Sequence, residues 1–278
     1  MILEAAAKIN WFLKVVGKRD DGYHDIVSPM QRIGLFDTLS FEAADGLDVV
    51  SDLDIPVGDN LVFRAALLLK EVTGCASGAR ITLVKNIPSQ AGLGGGSSDA
   101  AATLIGLNSL WGLGLSNRTL QELGARIGSD VPFFMGSPMA LVEGRGDRVT
   151  PLRSVRSFPL LLVKPLISVS TPWAYGRLRI LTKNSIDIKL FCQALDAGDF
   201  PALRLMAVND LEQVVIPEHP EIAQIKSRLR ECGAELSLMS GSGSVVFGVF
   251  RTRDEARRAS KAFDGREVYL TDTIVDRE

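Results

Sequence analysis

The chain has little cysteine, little histidine and no long apolar run. Its 278 residues include three cysteines, which lie far apart without C-x-x-C spacing, and two histidines. Such cysteines are typical of reduced core thiols, so the sequence predicts neither a disulfide framework nor a zinc site. No apolar run approaches the roughly 20 residues of a spanning helix, and we expect no membrane partner. The N-terminus carries Glu4 and no basic cluster, which predicts a cytoplasmic protein without a signal peptide.

An excess of charge of one sign is also lacking. The chain has 31 basic and 33 acidic residues, for a formal net charge of -2, and no extended basic tract. This balance argues against a nucleic-acid partner. The composition, 46% hydrophobic and 23% charged, is that of a globular chain, and its length suits two ordinary domains or one large one. A polar stretch at residues 144–156 lacks apolar periodicity, so we predict domains at residues 1–152 and 153–278.

A glycine-rich segment stands between a predicted strand at residues 81–87 and a predicted helix. Residues 92–98 read Gly-Leu-Gly-Gly-Gly-Ser-Ser. Glycine loses more chain entropy on ordering than any other residue, so this cluster indicates a backbone that closely approaches a ligand. The N-terminus of a helix suits phosphate. The chain contains no Gly-Lys-Ser/Thr, and Ser97 replaces the third glycine of the dinucleotide fingerprint. The alternatives are a phosphate loop of another type and a turn without a ligand.

The N-terminal segment alternates between apolar and other residues. The odd positions from Leu3 to Val15 are all apolar, which predicts a strand with one face in the core. Lys8 and Asn10 then lie side by side on the opposite face. A solvated strand lysine is the ordinary alternative for Lys8.

Motifs along nearly the whole chain resemble those of one family. Residues 88–102, Pro-Ser-Gln-Ala-Gly-Leu-Gly-Gly-Gly-Ser-Ser-Asp-Ala-Ala-Ala, resemble the ATP loop of the GHMP small-molecule kinases. One branch of that family is similar in further segments, in the same order. These are Ala7–Leu13, Arg19–His24, Gly128–Phe134, Ser170–Pro172, Asn209–Glu212 and Met239–Gly243.

The resemblance implies a fold and an activity. The expected fold is a two-domain α+β GHMP kinase fold. Its N-terminal domain is like the second domain of ribosomal protein S5, its C-terminal domain is a ferredoxin-like α/β sandwich, and the active site lies in the cleft between them. The expected activity is transfer of the γ-phosphoryl group of ATP, with Mg²⁺, to a hydroxyl of a small molecule. In this branch the acceptor is a cytidyl diphosphate sugar alcohol.

The same resemblance implies roles for individual residues. Phosphoryl transfer to an alcohol needs a group that takes the hydroxyl proton and a cation that balances charge. Asp130 and Lys8 are the catalytic candidates, and a turn-forming aspartate is the alternative for Asp130. The candidates for ATP binding are Pro88, Ser89, Gln90, Ala91, Gly92, Leu93, Gly94, Gly95, Gly96, Ser97 and Ser98, with Asn60, Lys85 and Asp99. The candidates for acceptor binding are Asn10, Tyr23, His24, Thr171 and Tyr175.

Two other functions stay open on the sequence. One is a GHMP kinase for mevalonate, homoserine or a sugar, which the adjacent Tyr23 and His24 argue against. The other is a nucleotide-binding regulator without turnover. The presence of both Lys8 and Asp130 argues against that regulator, because it has no need of a proton acceptor and a cation.

Overall fold

The computed structural model describes residues 1–52, 56–179 and 186–276. The strands are β1 (Ile2–Asn10), β2 (Lys14–Lys18), β3 (His24–Ala44), β4 (Leu47–Ser51), β5 (Gly78–Val84), β6 (Met139–Gly144), β7 (Arg148–Leu152), β8 (Pro159–Lys164), β9 (Leu236–Met239), β10 (Val246–Val249) and β11 (Glu267–Asp272). The α-helices are α1 (Leu61–Thr73), α2 (Gly95–Leu110), α3 (Asn117–Ile127), α4 (Thr171–Arg177), α5 (Ile188–Ala197), α6 (Phe200–Met206), α7 (Glu212–Glu218), α8 (Pro220–Glu231) and α9 (Arg253–Ser260). None of the helices in these ranges is long and apolar enough to cross a membrane.

Local capping chemistry sets several helix ends. Gly74 ends α1 in the left-handed conformation, at φ +65°, which glycine adopts without steric cost. The Ser116 side chain accepts the backbone N–H of Thr119 and caps α3. Thr252 and Glu255 form a capping box at the start of α9. These observations confirm the helix ends that the sequence pattern predicts.

The first compact unit comprises Met1–Ala7, Leu35–Ser89 and Gly94–Gly136. In it the end of β3 pairs antiparallel with β5, and β4 pairs parallel with β5. Helix α2 packs against α1 and α3. The residues of these three helices buried in the core include Val62, Ala65, Leu69, Ala101, Leu104, Leu107, Leu120 and Leu123.

The second compact unit comprises Lys8–Gly34, Gln90–Leu93 and Ser137–Glu278. It contains an antiparallel sheet in the order β11-β8-β10-β9. Helix α8 packs on this sheet through Ile222, Ile225 and Leu229, and α9 packs on β8. The start of β3 pairs with β2 and β6, and β6 pairs with β7. The predicted α+β class is confirmed. The second compact unit has helices packed on an antiparallel sheet, as predicted for the C-terminal domain.

Strand β7 is a regular element that the sequence pattern does not predict. It lies in the polar stretch at residues 144–156 and pairs antiparallel with β6, Arg148 opposite Glu143 and Leu152 opposite Met139. No residue of β7 is fully buried. An apolar period arises only where one face of a strand faces a core, so this strand leaves no such period in the sequence.

Strand β1 is buried on both faces near its end. Ala7 and Ile9 are fully buried, but Lys8 and Asn10 on the other face are only 3% and 0% exposed. The Lys8 ammonium donates a hydrogen bond to Asn10 Oδ1 at 2.6 Å, and Asn10 Nδ2 donates to Ser28 Oγ at 2.7 Å. Buried polar groups need such partners. The alternative of a solvated lysine at position 8 is therefore wrong.

Candidate active site

The glycine-rich segment forms the N-terminus of α2. The helix begins at Gly95, and Gly94 is its N-cap residue at φ +72°. The first helical bond runs from Ser98 N–H to Gly94 C=O at 2.9 Å. The first turn of a helix directs backbone N–H groups without intrahelical partners toward its N-terminal end, and the helix dipole adds positive charge there. This end of α2 has the backbone chemistry that binds phosphate.

The preceding residues, Gln90–Leu93, pack against a second glycine-containing loop at residues 240–244 in the same compact unit. Gly92 has φ +75°, and a Cβ at that position would lie 1.9 Å from the carbonyl oxygen of Ser240. The Ser240 hydroxyl donates to Gly92 C=O at 2.9 Å, and Val245 N–H donates to Ala91 C=O at 3.1 Å. Only glycine fits this close approach of two backbones.

Lys8 lies beside both of these loops. Its backbone N–H donates to the carbonyl oxygen of Leu93 at 2.9 Å. Its ammonium nitrogen lies 3.1 Å from where a Cβ on Gly241 would stand. The structure therefore brings Lys8 and Asn10 together with part of the predicted phosphate loop.

Asp130 lies in the other compact unit, in the turn before the short 3-10 helix Pro132–Met135. Val131 N–H donates to Gly128 C=O at 3.2 Å in this turn, and the aspartate is partly exposed. In the same unit, a Cβ on Gly128 would lie 3.8 Å from Ser97 Oγ. The Asp130 turn is thus close to the first turn of α2. Its catalytic role stays a prediction.

Asn209 holds the second loop in place. Its buried Nδ2 donates to the carbonyl oxygens of Met239 at 2.8 Å and Gly241 at 2.7 Å, and its Oδ1 accepts the N–H of Leu211. Glu212 Oε1 accepts the N–H of Met239 at 2.9 Å. Sequence reasoning finds this Asn-Asp-Leu-Glu motif but assigns no partner to it, because the bonds join residues about 30 positions apart.

We expect Asn209→Ala to destabilise the protein by at least about 2 kcal/mol. It leaves two buried carbonyl groups unpaired, and each such group costs about 1–3 kcal/mol. Asn117 is the matched control, since its exposed side chain donates to one carbonyl, that of Met135. Chemical denaturation measures both variants. Equal losses in Asn209→Ala and Asn117→Ala would contradict the assigned role of Asn209.

The predicted acceptor-binding residues all belong to the second compact unit. The His24 and Tyr175 rings are in contact, with centroids 5.4 Å apart and an interplanar angle of 35°. Tyr23 is half exposed, and the guanidinium of Arg145 lies 5.6 Å from its ring centroid. Thr171 Oγ1 and Ser242 Oγ are 2.7 Å apart. The structure thus joins Thr171 to the second loop and His24 to Tyr175.

The charge state of His24 follows from its surroundings. Desolvation by burial lowers the pKa of its imidazole, and the positive charge of Lys18 lowers it further. The neutral ring is therefore the form present at neutral pH. A neutral imidazole has one nitrogen that donates and one that accepts a hydrogen bond, which suits the edge of a nucleobase.

Three further residues predicted to bind ATP, Asn60, Lys85 and Asp99, lie in the first compact unit. Asn60 is the N-cap of α1, and its Oδ1 accepts Val62 N–H at 2.9 Å. The Lys85 ammonium donates to Asp99 Oδ2 at 2.8 Å and also to Asp37. Sequence reasoning misses Asp37, which lies in β3 outside any recognisable motif. Its importance comes from a contact across 48 positions in the chain.

The glycine-rich N-terminus of α2 is suited to holding the phosphates of a nucleotide, as a kinase requires. The model of the GHMP kinases N terminal domain matches residues 60–137, and that of GHMP kinases C terminal matches residues 191–269. The chain belongs to the GHMP kinase family, as its motifs predict.

Two sequence relatives that match nearly the full length of the chain carry the same name. The chain is 48% identical over 280 residues to the 4-diphosphocytidyl-2-C-methyl-D-erythritol kinase of Thermodesulfovibrio yellowstonii, covering 98% of each chain. It is 44% identical to the kinase of that name from Geobacter metallireducens, covering 94% of this chain and 93% of the other. The protein in a crystal structure of 4-(cytidine 5'-diphospho)-2C-methyl-D-erythritol kinase is 34% identical in sequence. The match has a TM-score of 0.86 and covers 98% of this chain and 99% of the other. An L. major mevalonate kinase, 14% identical with a TM-score of 0.74 over 100% of this chain and 97% of the other, shares the fold.

Proposed function

We propose that the protein transfers the γ-phosphoryl group of ATP to the 2-hydroxyl of 4-diphosphocytidyl-2-C-methyl-D-erythritol, giving the 2-phosphate and ADP in the non-mevalonate isoprenoid pathway. The 48% identity to a kinase of that name over 98% of both chains carries the proposal. We also retain residues 1–152 and 153–278 as the proposed domains. Both substrates are charged, water-soluble metabolites, which supports a cytoplasmic location without a nucleic-acid or membrane partner.

The proposed chemistry assigns a step to each part of the site. The backbone N–H groups at the start of α2 hold the phosphates of ATP. The Asp130 carboxylate accepts the proton of the acceptor hydroxyl, whose oxygen forms a bond to the γ-phosphorus as the bond to the ADP oxygen breaks. The Lys8 ammonium, held by Asn10, balances negative charge on the transferring group. Lys8 is buried, so its charge acts more strongly than it would in water.

Mg²⁺ accompanies ATP in this proposal. The described part of the chain contains no group of three or more His, Cys, Asp or Glu residues that could hold a metal ion. Mg²⁺ commonly keeps several waters and binds through substrate phosphates rather than in an all-protein cage. Phosphate oxygens and water would therefore be its main ligands, and its charge would lower the repulsion among those oxygens.

The cytosine of the acceptor is assigned to the aromatic residues of the second unit. We place the base between Tyr23 and Tyr175, with His24 bonding to its edge. Arg145 lies over one face of the Tyr23 ring, which leaves the other face to stack on the base. The contact between His24 and Tyr175 keeps a polar edge next to an aromatic face. A flat ring with polar edges needs both kinds of group.

We expect Tyr175→Ala to raise the KM for the acceptor by about tenfold or more, with little change in the KM for ATP. Stacking on an aromatic face contributes about 1–3 kcal/mol per base. Tyr269→Ala is the matched control, because Tyr269 lies on β11 and its hydroxyl donates to Glu267. Steady-state kinetics with each substrate varied measure both variants. An unchanged acceptor KM in Tyr23→Ala and Tyr175→Ala would remove the cytosine site from these residues.

A panel of acceptors tests the proposed function itself. Purified protein is incubated with ATP, Mg²⁺ and either the cytidyl acceptor, 2-C-methyl-D-erythritol 4-phosphate, mevalonate or homoserine, and products are identified by mass spectrometry. We expect phosphorylation of the cytidyl acceptor alone. Preferential phosphorylation of mevalonate or homoserine would assign the protein to another branch of the family, and ATP binding without any product would favour the regulator.

A further inference from the structure

A buried trio of charged side chains connects the two ends of the glycine-rich loop. The Lys85 ammonium lies between the carboxylates of Asp37 and Asp99 and donates to both. The side chains of Lys85, Asp37 and Asp99 are only 8%, 0% and 4% exposed. Two carboxylates and one ammonium leave one negative charge in excess when all three are ionised. A buried excess charge is costly, so one carboxyl group is driven to hold a proton.

Asp99 is the member of the trio that takes this proton. Its Oδ2 accepts a bond from Lys85, whereas its buried Oδ1 has no hydrogen-bond partner among the described residues. Both carboxylate oxygens of Asp37 accept hydrogen bonds. Oδ2 accepts from the Lys85 ammonium, and Oδ1 accepts from the N–H groups of Asn86 and Ile87 at 2.7 and 2.8 Å. Desolvation, reinforced by the charge of Asp37, raises the pKa of Asp99 to about 7, although Lys85 opposes the rise.

Charged side chains outside the trio do not shift the pKa of Asp99. Asp99 is the only ionisable residue of α2. The helices that pack against α2 carry Arg64, Lys70 and Glu71 on α1, and Arg118, Glu122 and Arg126 on α3. All but Lys70 are exposed, and the charged groups that shift the pKa of Asp99 are Lys85 and Asp37.

The trio fixes the chain on both sides of the loop. On the entry side, Asp37 binds the backbone at residues 86 and 87, directly before Pro88. On the exit side, Asp99 belongs to the first turns of α2, and a Cβ on Gly95 would lie 3.1 Å from Lys85 Nζ. The charge of the trio therefore acts next to the helix N-terminus to which the phosphates of ATP are assigned.

We propose that Asp37 is a positioning residue for the nucleotide site, acting through Lys85, and that proton uptake by Asp99 strengthens the binding of ATP. This proposal rests on the proposed function, since it concerns the same nucleotide site. The ionised trio carries an excess negative charge that opposes a polyphosphate, whereas the protonated trio is neutral. Affinity for ATP therefore falls as the pH rises through about 7.

Two substitutions remove one negative charge from the trio in different ways. Asp99→Asn mimics the protonated carboxyl group. Asp37→Asn keeps an oxygen for the N–H groups of Asn86 and Ile87 but removes the carboxylate that faces Lys85. In that variant Lys85 and Asp99 form a balanced pair, and the pKa of Asp99 falls because the charge of Asp37 no longer raises it. Asp48→Asn is the matched control, since Asp48 forms an exposed ion pair with Arg80 in the same unit.

Calorimetric titration with ATP at pH 6 and pH 8 tests the proposal. The titration of ATP itself is common to every protein and cancels between them. The quantity compared is the ratio of the affinity for ATP at pH 6 to that at pH 8. We expect this ratio to be about three- to tenfold larger in wild type and Asp48→Asn than in Asp99→Asn and Asp37→Asn. Titrations near pH 7 in buffers of different ionisation enthalpy should also show larger proton uptake by the wild type. Circular dichroism confirms that each variant is folded.

Two outcomes would overturn the proposal and differ in what they say about the proposed function. If all four proteins bind ATP with the same dependence on pH, the trio is only structural and the proposed function is unaffected. If the wild type binds no ATP at either pH, the proposed function fails, and the role of the trio fails with it.

Discussion

Replacing Asp130 with asparagine is expected to lower kcat by about 10²–10⁴-fold while the protein keeps its fold and its affinity for ATP. Asparagine has nearly the same shape as aspartate but cannot accept the hydroxyl proton. Single-turnover kinetics with the cytidyl acceptor measure the chemical step, and calorimetry measures ATP binding.

Asp45→Asn is the control for this result. Asp45 is an exposed aspartate in the turn between β3 and β4, so its substitution tests the general effect of removing a turn carboxylate. We expect it to leave kcat unchanged. A wild-type kcat in Asp130→Asn would assign Asp130 to the turn alone, whereas a loss of stability that matches the loss of rate would make its role structural.

The second large effect is expected for Gly92→Ala, which should lose more than about 2 kcal/mol of stability together with most of the phosphoryl-transfer activity. The left-handed backbone at Gly92 costs a residue with a Cβ roughly 1–2 kcal/mol. The added Cβ would also meet the Ser240 carbonyl oxygen at 1.9 Å, so the two loops must move apart. Lys8 lies beside both loops, and its ammonium would shift with them. Thermal unfolding and steady-state kinetics measure these two effects.

Gly96→Ala separates this steric effect from a general need for glycine in the loop. Gly96 lies in the first turn of α2 with ordinary helical φ, and a Cβ there would lie 3.4 Å from Leu61 Cδ1. Alanine is favoured over glycine in a helix by roughly 0.5–1 kcal/mol, so we expect unchanged or slightly higher stability. If Gly92→Ala were as stable as Gly96→Ala, the packing of the loop at residues 240–244 would not depend on glycine.

The sequence predicts best what depends on neighbouring residues. The described ends of α1, α3 and α9 follow from residues within four positions of each terminus, and the glycine-rich segment marks the start of α2 by its composition alone. Strand β7 escapes prediction because its side chains are mostly exposed. The burial of Lys8 escapes it because an alternating pattern shows which face is apolar but not what covers the other face.

The candidate site depends more on contacts between distant residues. The motifs around Lys8, His24 and the glycine-rich loop could be found because they resemble a family. Asp37 and the bonds of Asn209 could not, since a single aspartate in a strand and a single asparagine in a loop are common and their partners lie far along the chain.

The order of the chain within the second compact unit has a consequence for synthesis on the ribosome. Residues 8–34 belong to this unit, but most of it comes from residues 137–278. Leu13 exchanges backbone bonds with Val208 and Asp210, and Gln31 donates to Ser154. At roughly 5–20 residues per second, the early segment waits on the order of ten seconds for these partners to emerge. During that interval Trp11 and Phe12, both fully buried in the finished protein, have no core to enter. The apolar side chains of residues 8–34 therefore cannot reach their final buried positions until the C-terminal half of the chain has been synthesised.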